Sequence, residues 1–287
     1  MPELDDALVQ IDGWEVPHAA AVVCGPAGVL AARGEVERPQ RVASVTKVAA
    51  AMAVWVAVEE ETVTLDDPAG PEGSTVRHLL AHTSGLAFDH PTTLAAPGTR
   101  RIYSNVGFDL LGEVVAERTG FTFADYLHEA VLAPLGMEAS ALEGSPAKDL
   151  RSTAGDLARL AVELLRPTLV APATHALATS VAFPGLAGVL PGVGSFEPND
   201  WGLGVEIKGS KHPHWSGRAT AEATFGHFGG AGTFLWVDPT RDLACVGLSG
   251  REFGPWAMAS WPPLADAVVA AVDRGQEAGR GTSSPPG

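Results

Sequence analysis

VASVTKVAAAMAVWVAV, residues 42–58, is apolar on nearly every side and too long to be a strand. A helix of that character belongs in the middle of a protein, so this stretch is expected to be the axis of the fold. Within it stands Lys47, in a chain whose other lysines are Lys148, Lys208 and Lys211. Ser44 lies three residues earlier and therefore on the same helical face, one turn away. Burial disfavours an ammonium, so the pKa of Lys47 should fall and a fraction should be neutral amine. A serine hydroxyl within reach of such an amine is an activated nucleophile. The structural alternative is that Ser44 caps the helix and Lys47 snorkels to solvent.

Working outward, residues 19–36 hold short apolar runs broken by Gly and Pro, the pattern of a hairpin. From about residue 60 to 200 the chain reads as helices and loops. VRHLLAHTSG ends at Gly85, and NVGFDLLGEVVAERTG runs from a possible cap at Asn105 to Gly120. Thr122 with Asp125, and Thr153 with Asp156, have the spacing of capping boxes. Residues 183–200, rich in Gly and Pro, are expected to be a long crossing loop. Strand texture returns in WGLGVEIK, ATFGHF, GTFLWVD and LACVGLS, and WPPLADAVVAAVD closes the chain as a helix with prolines at its start. The expected class is α/β (α+β). Residues 1–58 and 201–273 build an antiparallel sheet from both termini, flanked by helices, and residues 59–200 form an all-helical insertion facing it. Residues 274–287 have the composition of a disordered tail.

Composition excludes several classes. The 287 residues carry 19 Lys plus Arg against 34 Asp plus Glu, a net charge of −15, which disfavours nucleic acid and anionic membrane as partners. No run approaches the roughly 18 apolar residues of a membrane span. The N-terminal MPELDDALVQIDGW lacks the basic start and apolar core of a secretory signal, so a cytoplasmic location is expected. Cys24 and Cys245 sit in short apolar runs and read as small buried hydrophobes, and no metal site or cofactor is expected.

Two further groups could share a cleft with Ser44. Tyr103 and Asn105 stand at the entrance to a helix, where a phenol can shuttle a proton and an amide can donate to a carbonyl. Either Ser104 or Asn105 could equally be a plain cap, and a lone Tyr is most often packing. His227 in a strand pattern is followed by Gly229 and Gly230, where a missing side chain lets a substrate lie against the strand. The alternative is a strand-end His beside a glycine bulge. Ser145 and Lys148 repeat the S-x-x-K spacing in a polar loop with no apolar helix behind it, and read as a chance match. Residues 209–223, with Lys211, His212, His214 and Trp215, are expected to be a solvated loop bordering the cleft mouth. Ser249 lacks the glycine spacing of a G-x-S-x-G elbow.

In this order, ASVTK, YSN and HFG resemble the S-x-x-K, polar-loop and K-T-G-type motifs of the serine β-lactamase and penicillin-binding-protein superfamily. RHLLAHTSGL, STAGDLARL and FGHFGGAGTFLWVDP extend the resemblance over most of the chain, nearest to the class C β-lactamase, D-peptidase and esterase branch. The resemblance implies an acyl-enzyme on Ser44, with Lys47 and Tyr103 moving protons and Asn105, His227, Gly229 and Gly230 lining the substrate site. It also implies an oxyanion hole from the backbone N–H groups of Ser44 and Gly230, and a structural role for the turn at His82, Thr83 and Ser84. His227 stands where the family has a lysine, replacing a fixed cation with a group expected to titrate near neutrality. The expected function is therefore a serine hydrolase acting on small esters or amides without a cofactor. β-Lactam or D-amino-acid peptide hydrolysis is the alternative within that chemistry, and a non-catalytic binding protein the alternative outside it.

Overall fold

The computed structural model describes residues 2–281, with side chains to residue 275. A short helix, Pro2–Leu8 (α1), buries Leu4, Ala7 and Leu8, and the hairpin Ala19–Gly25 (β1) and Gly28–Gly34 (β2) follows. After Gln40–Arg41 (β3), a 3-10 turn at Ala43–Val45 leads into Thr46–Glu59 (α2). The middle of the chain holds Val76–Leu80 (α3), Asn105–Thr119 (α4), Phe123–Leu127 (α5), Ala141–Leu142 (β4) and Leu150–Ser152 (β5). It continues with Ala154–Leu165 (α6), Pro172–Ala178 (α7), Gly188–Leu190 (β6) and Gly194–Phe196 (β7). Glu206–Ile207 (β8), Phe225–Gly229 (β9), Thr233–Asp238 (β10), Leu243–Ser249 (β11) and Pro255–Gly281 (α8) complete the order.

The main sheet runs β2-β1-β11-β10-β9-β8, antiparallel throughout. Ala19 pairs with Ser249 and Cys24 with Ala244, so the two ends of the chain meet in adjacent central strands. Both faces of the inner strands are buried, and these strands alternate between two cores, while edge strand β2 is largely exposed. Ala20, Val22 and Cys24 join the core of α2 and α6, while Ala21 and Val23 join that of α1 and α8. Cys245 faces the second core, so the two buried thiols lie on opposite faces of the sheet.

The axial helix is where the sequence puts it. Every residue of α2 from Thr46 to Ala57 is buried, with α4, α5 and α7 packed around it and β9 beside it. An alanine-rich helix without interior Gly or Pro can be enclosed in this way because neighbouring elements approach closely on all sides.

Several expectations are revised. The middle of the chain is helical but adds short strands, and residues 183–200 contain the β6–β7 hairpin. In the 201–208 run only Glu206 and Ile207 pair with β9. WGLG makes a turn instead, with Gly204 at φ 99° and the Leu203 carbonyl accepting from Trp55 Nε1 at 2.9 Å. The final helix begins at Pro255, which leaves Pro262 and Pro263 inside it. It also runs to Gly281, so residues 274–281 are helical and not tail, and 282–287 lie outside the described residues. Ser104, not Asn105, caps α4, accepting from Gly107 N at 3.1 Å.

Candidate active site

Ser44 sits in the 3-10 turn that feeds α2, immediately after Ala43, whose φ of 47° puts a non-glycine residue in the left-handed region. That strained turn holds Ser44 half-buried at the end of an otherwise enclosed helix. Gly229 explains how β9 approaches so closely: a side chain there would collide with the Val42 carbonyl and Thr233 Oγ1 and come within 3.1 Å of the Ser44 nitrogen. Thr233 Oγ1 donates to the same Val42 carbonyl at 2.7 Å, tying the sheet to the turn.

Lys47 is fully enclosed and does not snorkel. Its Nζ donates to Asn105 Oδ1 at 2.6 Å and to the Ala147 carbonyl at 2.8 Å. Nζ also lies 4.7 Å from the Tyr103 ring centroid. Burial pushes its pKa well below the usual lysine value, against the weaker opposing pull of Asp109 and Asp89. A neutral amine has two N–H groups and one lone pair; the two acceptors take the N–H groups and leave the lone pair free. The Asn105 amide is oriented by Asp89, whose carboxylate accepts from Nδ2 at 2.7 Å and so turns Oδ1 toward Lys47. Because Ser104 does the capping, Asn105 is free for this contact.

Tyr103 joins the other groups. Burial pushes the pKa of its phenol far above the ordinary value, against the weaker opposing pull of the Ser44 side chain. Tyr103 Oη is 3.3 Å from His227 Nε2, and His227 Nδ1 is 2.6 Å from the Phe228 carbonyl. A carbonyl only accepts, so Nδ1 carries the proton and bare Nε2 receives the Tyr103 hydroxyl. Tyr103 thus interacts with both Ser44 and His227, donating its hydroxyl to the latter. His227 does not titrate near neutrality as its sequence position implied: burial, reinforced by Lys47, pushes it down to about 3, so it is an uncharged acceptor.

The structure therefore gathers Ser44, Lys47, Tyr103, Asn105, His227, Gly229 and Gly230 at one place. Ser44, Asn105 and Gly230 line a cleft of about 620 Å³ together with Arg41, Asp89 and Lys148. Asp89, Ala147 and Lys148 were not identified from sequence as members of the site. The Ser145–Lys148 stretch is no second nucleophile, because Ser145 Oγ is bound to Asp109; it is the turn that presents the Ala147 carbonyl and Lys148. Its closeness to Ser44 depends on the tertiary fold, and only the repeated S-x-x-K spacing marked it. His82 takes no part in the cleft lining: it packs 4.5 Å from Tyr103, and its Nδ1 accepts from Ser104 N.

The 209–223 segment is not a solvated loop at the cleft mouth. Lys211, His214 and Trp215 are buried around Glu206, which accepts from His214 Nε2 at 2.9 Å and pairs with Lys211 at 3.1 Å. Despite burial, which acts to raise it, these partners bring the Glu206 pKa down to about 2. Among the described residues no cluster of ligands suited to a metal ion occurs, and no helix is long and apolar enough to cross a membrane.

Comparison with known proteins agrees with this fold. The β-lactamase family model matches residues 15–270. A β-lactamase crystal structure from Mycobacterium bovis is 56% identical, with a TM-score of 0.92 over 93% of this chain and 99% of that one. The LovD6 mutant of simvastatin synthase from Aspergillus terreus shares the fold at 18% identity, with a TM-score of 0.75 over 95% of this chain and 94% of that chain. The D-alanyl-D-alanine-carboxypeptidase/endopeptidase AmpH of Escherichia coli is 27% identical over 177 residues, 49% of this chain. The chain spans about half the length of that curated relative, 46%. By the family match and the architecture that carries it, the chain belongs to the β-lactamase family of serine hydrolases.

Proposed function

We propose that this protein hydrolyses small esters through an acyl-enzyme on Ser44. The observation that carries the reading is the enclosed Lys47 amine, its two N–H groups engaged by Asn105 and Ala147, one helical turn from Ser44. As Ser44 Oγ bonds to the substrate carbonyl carbon, its proton passes to the Lys47 lone pair and the carbonyl π pair moves onto oxygen. The oxyanion is received by the backbone N–H groups of Ser44 and Gly230. Collapse breaks the bond to the alcohol oxygen, which takes a proton from Tyr103; the Lys47 ammonium restores that proton. Water then attacks the acyl carbon, its proton follows the same route, and a carboxylic acid leaves a regenerated serine.

Neutral His227 favours an ester over a substrate that needs a fixed cation at the strand edge. β-Lactam hydrolysis is the second reading, favoured by the name of the 56% identical Mycobacterium bovis protein, and D-alanyl peptide hydrolysis by that of the Escherichia coli relative. Purified enzyme should be given p-nitrophenyl acetate, a chromogenic cephalosporin and a D-alanyl-D-alanine peptide side by side. Fastest Ser44-dependent turnover of the ester is expected; faster cephalosporin or peptide turnover would overturn the ester assignment.

A further inference from the structure

Phe88, Leu94 and Val189 are large apolar side chains exposed by 47%, 61% and 54%, and all three gather around one cavity of about 350 Å³. Ile102, Tyr103 and Pro191 complete its apolar walls. Arg101 also borders it, but its guanidinium is spent on the carbonyls of Ala81, Ala182, Phe183 and Asn199, so the charge is held in the protein. Arg100 is exposed beside it. Isolated exposed apolar side chains are ordinary; three converging on a concavity mark a binding surface.

Two features tie this cavity to the chemistry. Phe88 lines both the cavity and the Ser44 cleft, and its ring stacks at 5.7 Å and 28° on that of Tyr103. The two spaces are therefore neighbours across one aromatic edge, and they differ in character: Gln40, Arg41, Asp89 and Lys148 line the cleft, while the cavity walls are mostly carbon. Val189 is held in place because β6 is bridged to Arg101 through Gly188, where a side chain would collide with the Arg101 carbonyl.

Position selects which half of the substrate belongs here. The group that protonates the departing alcohol must touch its oxygen, and that group, Tyr103, is a wall of the cavity; Ser44 and Gly230, which hold the carbonyl, are not. Resting on the acyl-enzyme reading above, we propose that this cavity binds the alcohol portion of the substrate and that the preferred esters are those of apolar alkyl or aryl alcohols. The acyl portion faces the polar cleft.

The test uses two series: acetates of ethanol, butanol and hexanol, and ethyl esters of acetic, butanoic and hexanoic acid. In the alcohol series kcat/KM should rise by up to about fourfold per added methylene until the cavity is filled, and more steeply than in the acyl series. Leu94→Asp and Val189→Asp, on separate exposed segments, should each flatten the alcohol series to less than about twofold per methylene. An alcohol series that is flat in the active wild-type enzyme, a steeper acyl series, or a slope untouched by both variants would overturn the assignment. Absence of all ester turnover together with an unlabelled Ser44 would instead defeat the acyl-enzyme reading on which it rests.

Discussion

Lys47 Nζ lies 2.6 Å from Asn105 Oδ1, across 58 residues of chain and inside a wholly buried pocket. The contact joins the axial helix α2 to the first residue of α4, and Asp89 fixes which face of the amide Lys47 meets. Asn105→Asp would place a carboxylate beside the amine, raise the Lys47 pKa and keep it charged. The acid limb of the kcat/KM profile for p-nitrophenyl acetate should move to higher pH, and activity at pH 7 should fall by about 10²-fold.

In the unmodified enzyme that acid limb reports Lys47, because the free lone pair exists only above its lowered pKa. His227, down at about 3, contributes no inflection near pH 6.5. The pH profiles of wild type and His227→Gln, normalised to their plateaus, should therefore rise over the same range, even where the plateau of the variant is lower.

Removing the Tyr103 hydroxyl separates packing from proton transfer. Tyr103→Phe keeps the ring contacts with Phe88 and Trp201 and loses the hydroxyl that donates to His227 beside Ser44. Activity should drop by about 10²- to 10⁴-fold, while the thermal midpoint moves by only a few degrees.

Glu206 predicts a stability effect. Glu206→Gln leaves the Lys211 ammonium enclosed without its counter-charge, which should cost about 3–5 kcal/mol by denaturant unfolding. A loss below about 1 kcal/mol would mean that Lys211 finds compensation elsewhere.

Acid lability follows from the buried histidine. His227 is held near 3 in the folded protein against an ordinary value of 6.5, so between those limits the unfolded chain binds the extra proton. Stability should fall as pH drops from 6.5 toward 3, and His227→Gln should retain a larger share of its pH 7 stability at pH 4.5 than wild type does.

What could be read from residue order alone was whatever depends on local spacing or on period. Ser44 and Lys47 are neighbours through the helix itself, the apolar runs of β10 and β11 are explicit, and Gly229 two places after His227 marks a close approach. What stayed hidden depends on closure between distant segments. The Ala147 carbonyl, the Asp89 carboxylate and the Lys148 side chain reach the cleft only when the 141–152 and 83–105 stretches fold against α2. Lys211 reads as a loop charge because nothing local reveals that Glu206 awaits it in the interior. The neutrality of His227 is likewise a property of its enclosure, invisible in the letters around it.

The central claim is that Ser44 carries the acyl group. Two serines line the cleft, Ser44 and Ser249. A fluorophosphonate should therefore be reacted with the wild-type protein and with Ser44→Ala, and the adduct mapped by peptide mass spectrometry. A single adduct on the peptide containing Ser44, lost together with ester turnover in Ser44→Ala, is the predicted result. An adduct on Ser249, or ester turnover that survives in Ser44→Ala, would contradict it.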